Sequence, residues 1–207
     1  MNALETPSQR ARLGFGLENI DPLFPGFASG DFGVLYGSPT CLTLSWLLCV
    51  RCQLPEEQGG LGSPVVLVDG GNTFDLYGIS RIAQQYGMDP KDVLDRIFVS
   101  RAFTAYQLTS LIISGLKPAV EKSKAKLVVI SDIIGLYLDR DVPKTEAKDI
   151  FNKLTLFLSE FPKENGVIIV ATHLTGKPSP RSLFMELALL GRAEVVIRVR
   201  GSHPALK

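Results

Sequence analysis

Residues 34–48 read VLYGSPTCLTLSWLL and combine an apolar strand pattern, a tight turn and an apolar helix pattern. In α/β proteins, a glycine-containing turn at this place can present backbone N–H groups to a phosphate, with a Lys and a Ser or Thr at the start of the helix. This stretch contains no Lys. It therefore predicts a turn with the shape of a phosphate-binding loop but without its cation. The candidate loop positions are Gly37, Ser38, Pro39, Thr40, Cys41, Leu42 and Thr43.

The same stretch belongs to a longer run without charged residues, from Phe32 to Val50, which raises the question of a membrane-spanning helix. Gly37, Ser38 and Pro39 interrupt this run, so only about a dozen residues remain for a continuous helix. The pattern favours a buried strand followed by a buried helix, and no membrane partner is expected.

Further apolar, β-branched runs follow along the chain, separated by segments with helical periodicity. Strands buried on both faces of a parallel sheet have such uniformly apolar sequences. The alternation of strands and helices predicts an α/β fold with a doubly wound, mostly parallel sheet and helices on both faces. The predicted elements are strands at DFGVLYG (31–37), PVVLVDG (64–70), RIFVSRAF (96–103), KLVVISD (126–132), GVIIVAT (166–172) and, at the sheet edge, AEVVIRVRG (193–201), with a helix at TEAKDIFNKLTLFLSEF (145–161).

Length and charge limit the possible functions. The 207 residues with 45% hydrophobic content predict one compact domain over 1–207, with residues 1–12 flexible. The formal charge of +1 gives no general field that attracts nucleic acid, so any DNA contact must be local. The three cysteines lie close together in one segment, and the C-x-x-C of Cys49 and Cys52 is interpreted as core packing in a reducing compartment. No metal site is expected.

The segment CQLPEEQGGLGSPVVLVDGGNTFDLYGISRIAQQYGMDPKDVLDRIFVSRAF (52–103) resembles the ATPase core of the RadA recombinases and their eukaryotic counterparts, which are relatives of RecA. The resemblance continues weakly through LGFGLENIDPLFPGFASGD (13–31) and again through LVVISDIIGLY (127–137) and GVIIVATHL (166–174). It implies a RecA-like P-loop NTPase fold. The family's N-terminal helical domain and polymerisation linker have no counterpart in this sequence.

The resemblance also shows where the sequence departs from the family's ATPase pattern. A gap-free register puts Thr40, Cys41 and Leu42 at the Gly-Lys-Thr of the phosphate loop, and a shift by one residue puts Leu42 and Thr43 there; neither restores a Lys. Catalysis of phosphoryl transfer depends on these groups, so the resemblance implies a non-catalytic chain without a nucleotide cofactor. The alternative is weak phosphate binding by Thr40, Thr43 and the helix N-terminus. The other departures are Gly71 at the water-activating glutamate, Ser131 at the Walker B aspartate and Leu174 at the phosphate-sensing glutamine.

Three further polar residues end strands of the predicted sheet. His173 could act as a general base, and Asp69 with Asp132 could hold a metal ion. No nucleophile or partner carboxylate for His173 is evident from the sequence. We therefore interpret His173 as structural and the two aspartates as remnants of the ancestral site.

The resemblance implies two interaction surfaces. Basic residues follow the strands at 126–132 and 166–172, where the family carries its DNA-binding loops. The strand and helix at RIFVSRAFTAYQLTSLIISGL (96–116) correspond to the groove that accepts a phenylalanine-containing segment of a neighbouring recombinase or mediator, although ordinary core positions are favoured for Phe98 and Ala102. The possible DNA contacts are Arg140, Lys144, Lys148, Lys177, Arg181 and Arg192, and the possible groove residues are Phe98, Ser100, Ala102, Leu111 and Gly115.

Three functions remain open from the sequence. The first is a non-catalytic recombinase paralogue that binds a RadA-type recombinase or another paralogue, with single-stranded DNA as a possible partner. The second is a RecA- or KaiC-type ATPase or nucleotide sensor with an unconventional phosphate loop. The third is a DNA-binding module without a protein partner. The first is favoured, with a small oligomer possible and no long filament expected from this chain alone. A cytoplasmic location in a prokaryote is favoured over a nuclear location in a eukaryote.

Overall fold

The computed structural model describes residues 11–201. The chain first forms a two-stranded antiparallel ribbon, β1 (Arg12–Leu13) with β2 (Phe27–Ala28), which the sequence analysis did not predict. Residues 1–10 of the segment expected to be flexible lie outside the described residues. Arg12 pairs with Ala28 in the ribbon, so the expectation of flexibility does not extend to Arg12.

The centre of the fold is a six-stranded sheet in which all the pairings are parallel. The strand order is β5-β4-β6-β7-β3-β8, so β5 and β8 form the two edges. The predicted parallel sheet, its six strands and the edge position of the last strand are all confirmed. The strands are β3 (Phe32–Gly37), β4 (Val65–Asp69), β5 (Ile97–Arg101), β6 (Leu127–Ser131), β7 (Ile168–Leu174) and β8 (Val195–Val199).

Helices cover both faces of this sheet, as predicted. Helices α1 to α3 pack on one face and α4 to α7 on the other. Short 3₁₀ helices lie at Glu56–Gln58 and Gly135–Leu138. The α-helices are α1 (Thr40–Arg51), α2 (Leu76–Gln85), α3 (Pro90–Asp95), α4 (Ala105–Ile113), α5 (Leu116–Ser123), α6 (Lys144–Asn165) and α7 (Pro180–Leu190).

The two hydrophobic cores arise from the alternation of side chains along the strands. In β4, Val65 and Leu67 belong to the core on the α1 face, while Val66 and Val68 belong to the core on the α6 face. All five residues of β4 are buried. This two-sided burial explains why the central strands have uniformly apolar sequences.

Helix α1 accounts for the uncharged run that follows β3. Cys41, Cys49 and Cys52 are free thiols and are fully buried in the core on the α1 face, as the packing interpretation predicted. Burial raises the pKa of Cys41 to about 11 and that of Cys52 to about 12. Within residues 11–201, no helix combines the length and apolar character needed to cross a membrane.

Candidate functional site at the carboxyl edge of the sheet

Four neighbouring parallel strands end at the same edge of the sheet, where open α/β folds place their sites. These strands end at Gly37, Asp69, Ser131 and Leu174. The topology therefore brings the turn after β3 together with the positions that the resemblance assigned to the ATPase site. Leu174, at the position of the phosphate-sensing glutamine, is half-buried and pairs in register with Gly37.

The turn between β3 and α1 contains only Ser38 and Pro39. A phosphate loop of the Walker type places four residues between its two glycines. Gly37 has a φ of +122°, and a side chain there would collide with the carbonyl oxygen of Val199 on the edge strand β8. Strand β3 continues to Gly37 and α1 begins after two residues, so the turn has fewer residues than a Walker loop counted from Gly37. The loss of phosphate chemistry at this turn stays a prediction.

The backbone of this turn is already engaged in hydrogen bonds. The N–H of Ser38 donates to Val199 at 3.0 Å, and the N–H groups of Cys41 and Leu42 donate to Ser38 and Pro39 at 3.0 Å each. Pro39 has no N–H. The backbone N–H and the hydroxyl of Thr175 both donate to the carbonyl of Gly37, at 3.1 and 3.2 Å. A phosphate nest needs several N–H groups pointing at one anion, whereas the N–H groups of Ser38, Cys41 and Leu42 point to carbonyls of the protein.

Side-chain orientation at the start of α1 separates the predicted loop residues into two groups. Thr40 and Thr43 are exposed, whereas Cys41 is fully buried. In the gap-free register Cys41 occupies the position of the phosphate-loop lysine, so this position faces the core. The two threonine hydroxyls are the polar side chains that α1 presents at the sheet edge.

Asp69 is the most heavily hydrogen-bonded carboxylate of the site and is fully buried. Its Oδ1 accepts from the backbone and hydroxyl of Thr73, at 2.9 and 3.2 Å, and from the Ser131 hydroxyl at 3.0 Å. Its Oδ2 accepts from the Phe74 backbone and from Nε of Arg101, both at 3.2 Å. Both oxygens of Asp69 therefore hold the loop after β4, which supports its interpretation as a structural remnant.

We expect Asp69→Ala to lower the free energy of unfolding by about 3 kcal/mol, because buried donors on Thr73, Phe74 and Ser131 lose their acceptor. Burial by itself raises the pKa of Asp69, but these donors and Arg101 together hold it below its ordinary value. The stabilisation is therefore present above the unfolded-state pKa and is lost as the pH falls through the lower folded-state pKa.

Urea denaturation at neutral and acidic pH measures this effect, with the exposed Asp95→Ala as the matched control. The difference in the free energy of unfolding between Asp69→Ala and the wild type is expected to become smaller at acidic pH. If Asp69→Ala destabilises the protein at neutral pH no more than Asp95→Ala does, the prediction is contradicted.

Gly71, at the position of the water-activating glutamate, lies against the loop after β6. A Cβ atom there would lie 2.7 Å from Cβ of Asp132 and 2.8 Å from Cγ2 of Thr73. Ser131, at the Walker B position, is almost fully buried and donates its hydroxyl to Asp69. Gly71 therefore has no room for a glutamate side chain without displacement of its neighbours.

His173 has a partner that the sequence analysis missed. Its Nε2 lies 3.3 Å from Oε2 of Glu186 on α7, and its buried Nδ1 has no partner among the described residues. Burial raises the pKa of Asp132, although the nearby His173 acts to lower it. Asp132 also adopts a left-handed φ of +46°, and its N–H donates to the Thr172 hydroxyl at 2.9 Å. These contacts fit the structural interpretation of His173.

The predicted DNA contacts do not form one surface. Arg140, Lys144, Lys148 and Arg181 converge on a concavity of about 540 Å³ between the start of α6 and the start of α7. We call this the basic concavity. The other two residues do not line it: Lys177 is exposed in the loop before α7, and Arg192 lies beyond the opposite end of that helix, with a 3.4 Å hydrogen bond to Ala188.

The predicted partner groove lies beside the edge strand β5. Leu111 lines a concavity of about 310 Å³ together with Arg101, Phe103, Gln107 and Ser110. Phe98 is 48% exposed, so its interpretation as an ordinary core residue is wrong, whereas Ala102 is buried as that interpretation predicted.

The remaining groove residues differ in accessibility and in packing. Ser100 is half-buried on β5. Gly115 follows α4, and a Cβ there would lie 2.7 Å from the Leu111 carbonyl. Phe103 and Tyr106, which the sequence analysis did not select, are 69% and 47% exposed. The accessible apolar surface beside β5 is thus larger than predicted.

Comparison with known proteins shows a match to the Rad51 family. The Rad51 family model matches residues 9–180. Similar proteins include the DNA repair protein RAD51 homolog of Solanum lycopersicum, 28% identical over 164 residues (76% of this chain and 48% of the relative). The meiotic recombination protein DMC1 homolog of Arabidopsis thaliana is 30% identical over 167 residues (80% and 45%). The DNA repair protein Rad51 homolog of Drosophila melanogaster is 30% identical over 168 residues (78% and 50%).

The chain spans about half the length of these curated relatives. The family match covers the ribbon, the first five strands of the sheet and the carboxyl edge described above. The predicted RecA-like fold and the predicted relationship to recombinases are both confirmed. This chain belongs to the Rad51 family.

Proposed function

We propose that this chain is a non-catalytic member of the Rad51 family that assists homologous recombination and DNA repair by binding an active recombinase. The names of its relatives refer to DNA repair and meiotic recombination, and the proposal extends that role to this chain. The observation that carries the non-catalytic part is the two-residue turn between β3 and α1, whose N–H groups donate to backbone carbonyls.

The other residues at the carboxyl edge of the sheet support the same proposal. Phosphoryl transfer requires a cation on the phosphates, a metal held by a hydroxyl and a carboxylate, and a residue that orients water. In the gap-free register the lysine position is the buried Cys41, and Gly71 leaves no room for the glutamate. The loss of the lysine and the metal link would weaken nucleotide affinity by roughly 10³, since each charge-assisted hydrogen bond contributes about 1.5–3 kcal/mol.

The position of β5 at the edge of the sheet supports recombinase binding as the function of a chain that does not hydrolyse ATP. An extended segment can add backbone hydrogen bonds along such an edge while one aromatic side chain enters a neighbouring pocket. The concavity beside Leu111 and the exposed Phe98 and Phe103 offer an apolar surface for this contact. This mode of binding requires no nucleotide.

Affinity purification of the tagged protein from its native cell extract, with and without nuclease, tests this proposal. We expect a RadA/Rad51-type recombinase to co-purify under both conditions and without added ATP. Loss of the recombinase after nuclease treatment would indicate a DNA bridge and contradict direct binding. Recovery that depends on ATP would instead favour the nucleotide-sensor alternative.

A further inference from the structure

The basic concavity gathers four cations between the start of α6 and the start of α7. Arg140, Lys144, Lys148 and Arg181 line it, and no carboxylate side chain does. Within residues 11–201, none of these four side chains lies within 4.0 Å of a carboxylate oxygen, although Asp139 and Asp141 flank Arg140 in the sequence and Glu146 lies in the first turn of α6. Four cations that line one concavity repel one another, so an anion bound between them would relieve this repulsion.

Two of the four cations are held in place by the protein. Nη1 of Arg181 donates to the carbonyl of Val142 at 3.1 Å, and Nζ of Lys148 lies 4.6 Å from the ring centre of Phe184. Nε and Nη2 of Arg181 are buried without an acceptor among the described residues. A ligand oxygen in the concavity could accept a hydrogen bond from this guanidinium and satisfy these buried donors. The start of α6 also lacks a side-chain cap, so its positive end adds to the potential, against the opposing charge of Glu146 in the first turn.

We propose that the basic concavity binds a phosphomonoester, and that its ligand is the terminal phosphate of a single-stranded nucleic acid. A terminal phosphate carries a charge of about −1.5 to −2 at neutral pH and has one free side, so it can enter a concave site. An internal phosphodiester carries one charge and is flanked by sugars on both sides. The volume of about 540 Å³ is comparable with sites for a nucleotide-sized group, and the apolar walls at Leu138 and Val142 suit the adjoining sugar and base.

This inference rests on the proposed function, because it names the ligand of a site that the resemblance assigned to DNA contact. The inference differs from general DNA contact because it requires a phosphate at the end of the strand. Non-specific contact with a DNA backbone would depend on salt but not on whether the strand end is phosphorylated. A phosphomonoester site discriminates between two strands of the same sequence that differ only at their end.

The test is the anisotropy of a labelled single-stranded oligonucleotide, prepared with and without a 5′-phosphate, at low and moderate salt. We expect the phosphorylated strand to bind about tenfold more tightly, equivalent to one additional charge-assisted contact. In Lys144→Gln plus Lys148→Gln this preference should disappear. Lys117→Gln plus Lys122→Gln, on the exposed surface of α5, removes the same charge elsewhere and should retain the preference.

Competition identifies the source of the phosphomonoester. Displacement by the phosphorylated oligonucleotide but not by an equal concentration of deoxynucleoside monophosphate would support the strand end as the ligand. Equal displacement by the monophosphate would support the site but overturn the strand end as its ligand. Equal affinity for both strands in the wild-type protein would overturn the whole inference. Because recombinase binding is tested separately at Leu111, failure here leaves the proposed function standing.

Discussion

Purified protein is expected to release no phosphate from ATP above the buffer control, with or without single-stranded DNA. The N–H groups of Ser38, Cys41 and Leu42 donate to carbonyls of the protein, and in the gap-free register the core-facing Cys41 occupies the lysine position. Without a cation, a metal site and a residue that orients water, the transition state of phosphoryl transfer has no source of charge stabilisation. ATP hydrolysis that co-purifies with the wild-type protein and is absent from the Thr43→Ala variant would contradict this prediction.

Restoring single residues is also expected to leave hydrolysis absent. Cys41→Lys would place an ammonium group in the core on the α1 face, and Gly71→Glu would collide with Asp132 and Thr73. Both variants should therefore be less stable than the wild type in urea denaturation. Thr40→Lys is the control, since Thr40 is exposed at the same turn; it should fold normally and remain inactive. Hydrolysis by a folded Cys41→Lys protein would show that the turn can still hold a phosphate.

The sheet could be predicted because its central strands are buried on both faces, which makes β4, β6 and β7 apolar except near their carboxyl ends. The ribbon of β1 and β2 was missed because two-residue strands carry no periodicity. A gap-free register assumes a loop of constant length, so it could not predict how many residues separate β3 from α1. In the structure β3 extends to Gly37 and α1 begins at Thr40.

The site could be predicted only in part, because several of its contacts join segments that are distant in the sequence. His173 pairs with Glu186, and Arg181 joins Lys144 and Lys148 in the basic concavity, only because α7 packs against α6 beside β7. No local spacing in the sequence encodes these contacts. The exposure of Phe98 follows from the strand order, which leaves β5 at the edge, whereas an apolar pattern alone cannot distinguish an edge strand from a central one.

The recombinase complex is expected to be lost in Leu111→Asp, provided that this protein folds. Leu111 is half-buried beside the concavity next to β5, and an aspartate there would place an unpaired charge in the proposed interface. Such a charge costs several kcal/mol, so the affinity should fall by more than about 100-fold. Leu187→Asp on α7 introduces the same charge at a leucine that is 64% exposed, away from β5, and should bind normally.

Circular dichroism and melting cooperativity decide whether Leu111→Asp is a fair test, because Leu111 also packs against the core on the α6 face. Phe103→Ala provides a second test at a side chain that lines the same concavity and is 69% exposed, so that its removal should leave the core intact. Aromatic anchors of this kind typically contribute 2 kcal/mol or more to an interface, so the affinity should fall by roughly 30-fold. Undiminished recombinase binding by folded Leu111→Asp and Phe103→Ala proteins would exclude the surface beside β5, and a partner contact would then have to lie elsewhere on the chain.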